Sequence, residues 1–585
     1  MTIPAKNLAQ RAGLAGKASE FYSEHPHQQR APHGHSRGAA KKPLTVMKFG
    51  GTSVGDASCV ERVVAITRAA SEASDVVVVV SAMSGVTNQL VAAASLAEAG
   101  DRQQVSRIFE ELRRQHYAAA DGLIHSQPER SRIGIKIDAL LEEWARLCQG
   151  TALLRELTPR SRDAISSMGE RLSILLVAGA LTEYGIASVA IEATELVVTD
   201  GCHGNADPVM DLTRRRCEER LRPLLQRGIV PVVTGFVGAT VDGILTTLGR
   251  GGSDYSATIL GAALRADEVI IWTDVDGLQT ADPRMVPGAR TIAEVSYREA
   301  AELAYFGAKV LHPKTVRAIT HCGLPLWIRN TFAPERPGTK ITPEGPRSAP
   351  GRSPAGMIAL TAISDVALLT LRGPGMAGVQ DVLLRTLRAA ASVRADVLLI
   401  SLASSQNALC LVVPSAVARK TEDALRREFA HDLMPGCSES ISGDHLAVDE
   451  NVGIVTVVGQ KLNSVPGIAG RIFAALGREN VNIAAISQGS SECSLTFVVA
   501  RKDMKTALAS IHREFELGGV SSESKSEDQK AQYWNRAGSA LPAQSRHLEP
   551  EAKPDPDFGP PASAPVEDCA EQSLSLDSSS FHCRS

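Results

Sequence analysis

The sequence predicts an α/β protein with a mostly parallel sheet sandwiched by helices, followed by two copies of a ferredoxin-like unit. Three observations carry this. Runs apolar on both faces, Leu44–Phe49, Val76–Ser81, Ser188–Ala193, Ile229–Gly235 and Glu268–Thr273, have the length of buried strands. Helical patterns separate them: near Ser58, at Thr87–Ala99, from about 101 to 184, and at 211–227 and 254–265. Beyond residue 356, a pattern of strand, loop, helix, strand and strand occurs twice.

Residues 1–42 lack apolar periodicity and read as a disordered leader. Its histidine pairs, His25/His27 and His33/His35, fit a solvated tail, and Glu20 and Glu24 argue against a transit peptide. Residues 43–332 form the first domain. Prolines cluster at 333–356, which reads as a linker. The repeats follow at 357–440 and 441–517, the first with helix Asp381–Ala391 and the second with helix Arg471–Arg478. Residues 518–585 are polar and read as a disordered tail.

Composition narrows the function classes. The chain is 44% hydrophobic and only 4% aromatic, as expected of a core of Val, Leu, Ile and Ala. Its 62 Lys and Arg nearly balance 65 Asp and Glu, so no overall field favours nucleic acid or an anionic membrane. Any anionic ligand needs a local site. The ten cysteines form no CxxC pair, which fits free thiols in the cytoplasm better than disulfides or a metal site. No apolar run approaches the roughly 20 residues of a membrane span, and no signal peptide is evident.

Five motifs carry chemistry. Lys48-Phe-Gly-Gly-Thr-Ser53 ends the first strand: Gly50 and Gly51 let backbone amides approach an anion, Lys48 adds a charge, and the next helix is expected to add its positive end. Alone, such a turn is often only a turn. Leu248-Gly-Arg-Gly-Gly-Ser-Asp254 carries Arg250, whose fork suits a carboxylate, while Ser253 and Asp254 could cap the following helix or bind ligand. Thr273 and Asp274 end a strand, at the edge where open α/β sheets bind ligands, and Asp282-Pro-Arg284 follows. Glu170 in Ser166-Ser-Met-Gly-Glu170 could answer a helix dipole or hold an ammonium. Lys309 lies among apolar residues in Tyr305–Pro313, where a lysine needs a partner.

In combination these strings resemble the aspartate kinases of the amino acid kinase superfamily, over about residues 44–517. The resemblance rests on KFGGTSV at 48–54, VSAMSGVTN at 80–88, GRGGSDYSA at 249–257, WTDVDG at 272–277 and ELAYFGAKVLHP at 302–313. The repeats resemble ACT domains, with a flavour similar to the kinase half of bifunctional aspartate kinase–homoserine dehydrogenases. Nothing after 517 reads as a Rossmann domain, so a monofunctional enzyme is expected. The resemblance implies an amino acid kinase fold, ATP and Mg2+ as cofactors and L-aspartate as substrate. It implies Lys48, Arg250 and Asp254 as catalytic residues. Thr52, Ser53, Thr87, Glu170, Arg250 and Ser253 would bind the amino acid, with Glu170 facing the ammonium and Arg250 a carboxylate. Lys48, Gly50, Gly51, Thr273, Asp274, Arg284, Lys309 and Val310 would contact the nucleotide. It implies no protein-bound metal site. Gln279 departs from the tyrosine usual in the run before DPR, which implies weaker adenine stacking.

The chemistry agrees: a carboxylate with pKa about 4 is ionised at neutral pH and needs no general base. Charge offset by Lys48 and loop amides is the main task. The ACT pair implies a threonine or lysine effector, with Gln488, Ser490 and Glu492 in the second repeat as its polar contacts, and a homodimer or larger assembly. In the first repeat Leu402 and Gln406 stand where the pattern has Gln and Glu, so altered or weakened inhibition is expected. Another carboxylate kinase of the superfamily and a silent amino-acid sensor are the competing readings.

Overall fold

The computed structural model describes residues 42–307, 310–345, 356–372, 379–402, 408–430, 446–460, 462, 464–488 and 493–518. The expected leader, nearly all of the tail, and Lys309, Gln406, Ser490 and Glu492 lie outside the described residues.

The first ten strands are β1 (Leu44–Phe49), β2 (Asp75–Val80), β3 (Ser188–Ile191), β4 (Val230–Thr234), β5 (Val237–Ala239), β6 (Leu245–Thr247), β7 (Glu268–Thr273), β8 (Glu294–Ser296), β9 (Leu326–Asn330) and β10 (Thr339–Thr342). All but the β5–β6 hairpin form one eight-stranded sheet in the order β3-β4-β2-β1-β7-β9-β10-β8. Every pairing in it is parallel except β9 with β10. Alternate residues serve the two faces. Met47, Phe49, Val76, Val78 and Val80 enter one core, and Leu44, Val46, Val77 and Val79 the other, so both faces are dry.

Helices α1 (Ala57–Ala73), α2 (Val86–Ala99), α3 (Arg102–Leu123), α4 (Gln127–Leu154), α5 (Pro159–Ser166) and α6 (Met168–Glu183) build the layer around the first core. Helices α7 (Met210–Gln226), α8 (Gly252–Leu264), α9 (Tyr297–Tyr305) and α10 (Pro313–Thr320) cover the second. Local chemistry sets several ends. Thr158 caps α5 ahead of Pro159, and Ser296 and Glu299 form a reciprocal capping box on α9. The stretch Pro159–Glu183 is long and apolar enough to cross a membrane, which the sequence reading did not anticipate; 83% of its apolar window is buried, as in a core helix.

The second sheet comprises β11 (Met357–Arg372), β12 (Leu399–Leu402), β13 (Ala408–Pro414), β14 (Leu446–Gly459), β15 (Ile483–Ser487) and β16 (Ser494–Ala500), in the order β12-β13-β11-β14-β16-β15. Helices α11 (Val379–Ser392), α12 (Ser415–Glu428), α13 (Ile468–Arg478) and α14 (Met504–Glu514) accompany it.

Two expected boundaries shift. β10 falls inside the stretch read as linker, yet pairs with β8 and β9, because Thr339 and Ile341 alternate into the interior where prolines pause. The repeats are also not sequential blocks. The first half of β11 pairs with the end of β14, which pairs β16, while its second half pairs β13 and the start of β14. Each module therefore borrows a strand segment from the other, with register shifts near Ile363 and Val366 marking the crossover.

Candidate active site

Parallel strands bring their carboxyl ends to one edge, where β1 delivers Lys48, Gly50 and Gly51. Lys48 is 8% exposed, and its Nζ lies 2.5 Å from Asp254 Oδ1. A lysine so buried needs a countercharge, and Asp254 supplies it. The Gly50 amide donates to Trp272 O on β7 at 3.1 Å. A Cβ on Gly50 would sit 3.5 Å from Lys48 Nζ, and one on Gly51 3.0 Å from Ala82 O. A side chain at Gly51 would press on the Ala82 carbonyl, whereas Gly50 has room for a Cβ beside the ammonium. Thr52 is exposed, whereas Ser53 is buried, its hydroxyl paired with Thr331 Oγ1 at 2.7 Å. Thr331 went unnoticed in the sequence because only the fold brings it to this turn.

The helix end at this edge differs from expectation. α1 does not offer its amides to an anion, because the Asp56 carboxylate already accepts from Cys59 N at 2.9 Å. α8 is the open one. Its N-cap is Gly251 at φ +69°, with no side-chain cap, so Ser253 and Asp254 lie in the first turn and do not cap it. α2 likewise starts after Gly85 at φ +83° with no side-chain cap, and Thr87 is half-buried in its first turn.

Glu170 opens α6 at 3% exposure, with Oε2 lacking any protein partner among the described residues. Burial pushes its carboxyl up to about 8, opposed by the amides of Ala82 and Glu170 and by the Lys48 charge. Gly169 permits this approach: a Cβ there would fall 2.5 Å from Ala82 Cβ. Arg250 is exposed on a loop whose flanking glycines leave no room for a side chain. A Cβ on Gly249 would meet Asn205 Oδ1 at 2.9 Å, one on Gly251 His312 Cβ at 2.5 Å, and one on Gly252 Phe236 Cδ2 at 2.6 Å. His312 also feels the charges of Arg250 and Asp254; burial first, then Lys314 and Arg250, lowers its pKa. Sequence reading quoted His312 within a longer string without assigning it a place here.

Thr273 and Asp274 end β7, with the Thr273 hydroxyl donating to Asp274 Oδ1 at 3.2 Å. Val310 packs partly buried against the second core. Arg284 is exposed and pairs with Asp282 at 2.6 Å. Its segment docks on the second repeat: Leu360 N donates to Thr280 O at 2.8 Å, Thr280 Oγ1 lies 3.0 Å from His512 Nε2, and Arg290 Nε donates to Leu517 O at 2.7 Å. Among the described residues, no hydrogen bond or ion pair joins Arg284 to Lys48, Glu170 or Arg250. Gln279 is half-buried and bridges Thr291 through its backbone. In the repeats, Leu402 and Gln488 are exposed at the ends of β12 and β15, and Ser401 Oγ donates to Ile486 O at 3.0 Å.

No cluster of three or more His, Cys, Asp or Glu suited to a metal occurs among the described residues. Asp254 and Asp274 are carboxylates, the donor type that Mg2+ takes alongside nucleotide phosphates.

With this geometry in place, the relatives are informative. Residues 43–330 match the model of the amino acid kinase family, and residues 455–515 match that of the ACT domain. The chain is 33% identical over 473 residues to the chloroplastic bifunctional aspartokinase/homoserine dehydrogenase 1 of Arabidopsis thaliana, covering 81% of this chain and 51% of that protein. It therefore spans about half the length of the bifunctional relatives it matches. It is 32% identical to lysine-sensitive aspartokinase 3 of Escherichia coli, covering 80% of this chain and 98% of that one. Crystal structures of E. coli aspartokinase III, one with aspartate and ADP and one with lysine and aspartate, each superpose with a TM-score of 0.67 at 30% identity over 81% of this chain. These cover 100% and 99% of those chains respectively. With an amino acid kinase sheet, an ACT-type second sheet and full-length similarity to aspartokinase 3, the chain belongs to the aspartokinase family.

Proposed function

We propose that this chain is an ATP-dependent aspartate kinase, converting the β-carboxylate of L-aspartate to 4-phospho-L-aspartate at the head of lysine, threonine and methionine biosynthesis. The observation that carries this is the buried Lys48–Asp254 pair at the uncapped start of α8, with the buried Glu170 carboxyl within reach of the Lys48 charge. The E. coli relative crystallised with aspartate and ADP supports it.

In this reading Arg250 holds a substrate carboxylate, and Glu170 holds the ammonium, giving up its proton when that cation arrives. Thr87 and Ser253, in the first turns of α2 and α8, and Thr52 line the same site; Ser53 supports the turn through Thr331. The β-carboxylate oxygen attacks the γ-phosphorus in line as the bond to the ADP oxygen breaks. Lys48 and the amides of Gly51 and of the α8 start hold the phosphate charge, and Gly50, its amide engaged by Trp272 O, shapes the turn beside them. Mg2+ bound with the nucleotide would supply further charge neutralisation, with Asp254 and Asp274 as the residues to hold it. Thr273, Asp274, Arg284, Lys309 and Val310 contact the nucleotide.

Lysine or threonine is the effector, bound near Gln488, Ser490 and Glu492, with inhibition weakened by Leu402 in the first repeat. The repeats also assemble the enzyme as a homodimer or larger. The cysteine spacing, with no CxxC pair, supports a cytoplasmic setting.

Hydroxylamine trapping with ATP, Mg2+ and amino acid tests the assignment. Aspartyl hydroxamate from wild type, with kcat reduced about 100- to 1,000-fold in Lys48→Ala, is expected. Product from glutamate instead points to another carboxylate kinase. No product from either points to a sensor.

A further inference from the structure

Three sequence-distant segments meet at one buried carboxylate that the proposed reaction leaves unused. Asp163 on α5 is 2% exposed. Its Oδ1 accepts the Thr247 hydroxyl at 2.6 Å. Its Oδ2 accepts His203 Nδ1–H at 2.8 Å, the Gly204 amide at 3.0 Å and the Thr247 amide at 3.2 Å. Four donors on one carboxylate make a rigid junction, because charge-assisted hydrogen bonds in a dry setting resist displacement.

Two of the segments run on to Glu170 and Arg250, and the third packs beside them. α5 continues across the break at Ser167, whose amide donates to Asp163 O at 3.0 Å, into α6 and Glu170. β6 ends at Thr247 and passes through Gly249 to Arg250. The 200–205 loop packs against Gly249 so closely that a Cβ there would meet Gly204 O at 2.9 Å. Lys314 Nζ fixes the far side of that loop through Asn205 Oδ1 at 2.7 Å.

We propose that Asp163 and His203 are positioning residues that set the span between Glu170 and Arg250, and so make the site select aspartate over its one-methylene-longer homologue. The proposal rests on the reading in which those two residues grip the ends of the amino acid. A pocket of fixed span rejects glutamate because Arg250 cannot retreat by the length of a methylene. A loosened one lets the Arg250 loop follow the longer acid. An unaided apolar pocket separates such homologues by only about 10- to 200-fold, so rigidity between the charged ends matters. His203 is the member open to removal, its side chain being 19% exposed against 3% for Asp163.

Steady-state kinetics of the full chain with aspartate and with glutamate tests this, using wild type, His203→Ala, His203→Asn and Asp163→Asn. Losing one hydrogen bond to a buried charge corresponds to about tenfold. His203→Ala is therefore expected to raise KM for aspartate about tenfold and narrow the aspartate-to-glutamate ratio of kcat/KM by a similar factor. Its kcat should stay within about twofold and its KM for ATP should not move. His203→Asn, which can place an amide donor near the lost Nδ1, should restore most of the selectivity, and Asp163→Asn should lose more than His203→Ala. An active, wild-type-stable His203→Ala enzyme with unchanged selectivity overturns the clamp, as does one whose KM for ATP and kcat change as much as KM for aspartate. Should Asp163→Asn fail to fold, the two His203 variants decide. A wild-type chain that phosphorylates neither acid removes the underlying reading, and the clamp with it.

Discussion

Burial lifts the Glu170 carboxyl to about 8, so in the empty enzyme near neutral pH it holds a proton that the unfolded chain has lost. The sign follows from proton counting. Between about pH 4.5 and 8 the folded state binds more protons, so its stability falls as pH rises through that window, by on the order of a few kcal/mol in all. Glu170→Gln should flatten the slope, as denaturant midpoints from pH 5 to 8 would record. Substrate binding runs the other way. An ammonium ligand requires the carboxylate, so KM for aspartate should fall as pH rises from 6.5 towards 8 in wild type, and stay high and nearly flat in Glu170→Gln. A wild-type KM independent of pH would remove Glu170 from the ammonium subsite. Much at this scale was legible in residue types: Lys48, Arg250 and Glu170 stand out because their charges sit beside glycines or within apolar runs. Ser53 shows the limit, since a hydroxyl in a phosphate-like loop does not announce that Thr331, 278 residues away, will engage it.

At the scale of elements, a helix start can serve a ligand or be sealed by its own cap. α1 is sealed by Asp56, whose carboxyl is held below its usual range by the Cys59 amide first and the Ser58 hydroxyl next. This capping stabilises above the unfolded carboxyl pKa and fades as pH falls through the lowered folded value. Asp56→Ala should cost about 1 kcal/mol at pH 7, seen as a lower Tm, and leave KM for ATP unchanged. A rise in KM for ATP would return the phosphate role to α1. The long buried strands were readable from continuous apolar runs, whereas β8 and β10 were not: at three and four residues, with polar outer positions, they resemble loop.

Across the whole molecule, the segment from Gln279 to Ile292 joins the kinase sheet to the second repeat. Ala281 and Val286 enter that repeat's core, and Thr280 meets His512 on α14. Burial lowers the His512 pKa, with Arg290 adding to the effect, and its Nε2 shares a hydrogen bond with Thr280 Oγ1 at 3.0 Å. His512→Ala leaves a buried partner unsatisfied and should cost about 1–3 kcal/mol. Hydrogen exchange should then quicken selectively over residues 279–292, while exchange in β1 and β2 stays slow. Equal quickening throughout would show that the joint is not a separate unit.

The sequence alone determined the layered parallel sheet, the duplicated module and most of the charged residues at the strand ends, because alternation, glycine placement and buried charge are local signals. Only the tertiary structure decided which helix start is open, that β11 and β14 are shared between the modules, that Arg284 lies beside Asp282 on a segment docked against the second repeat, and that Asp163 gathers three distant segments. Those outcomes depend on hydrogen bonds and packing that only folding brings about, such as Asp163 with Thr247 and Thr280 with His512, and no periodicity in the chain encodes such pairings.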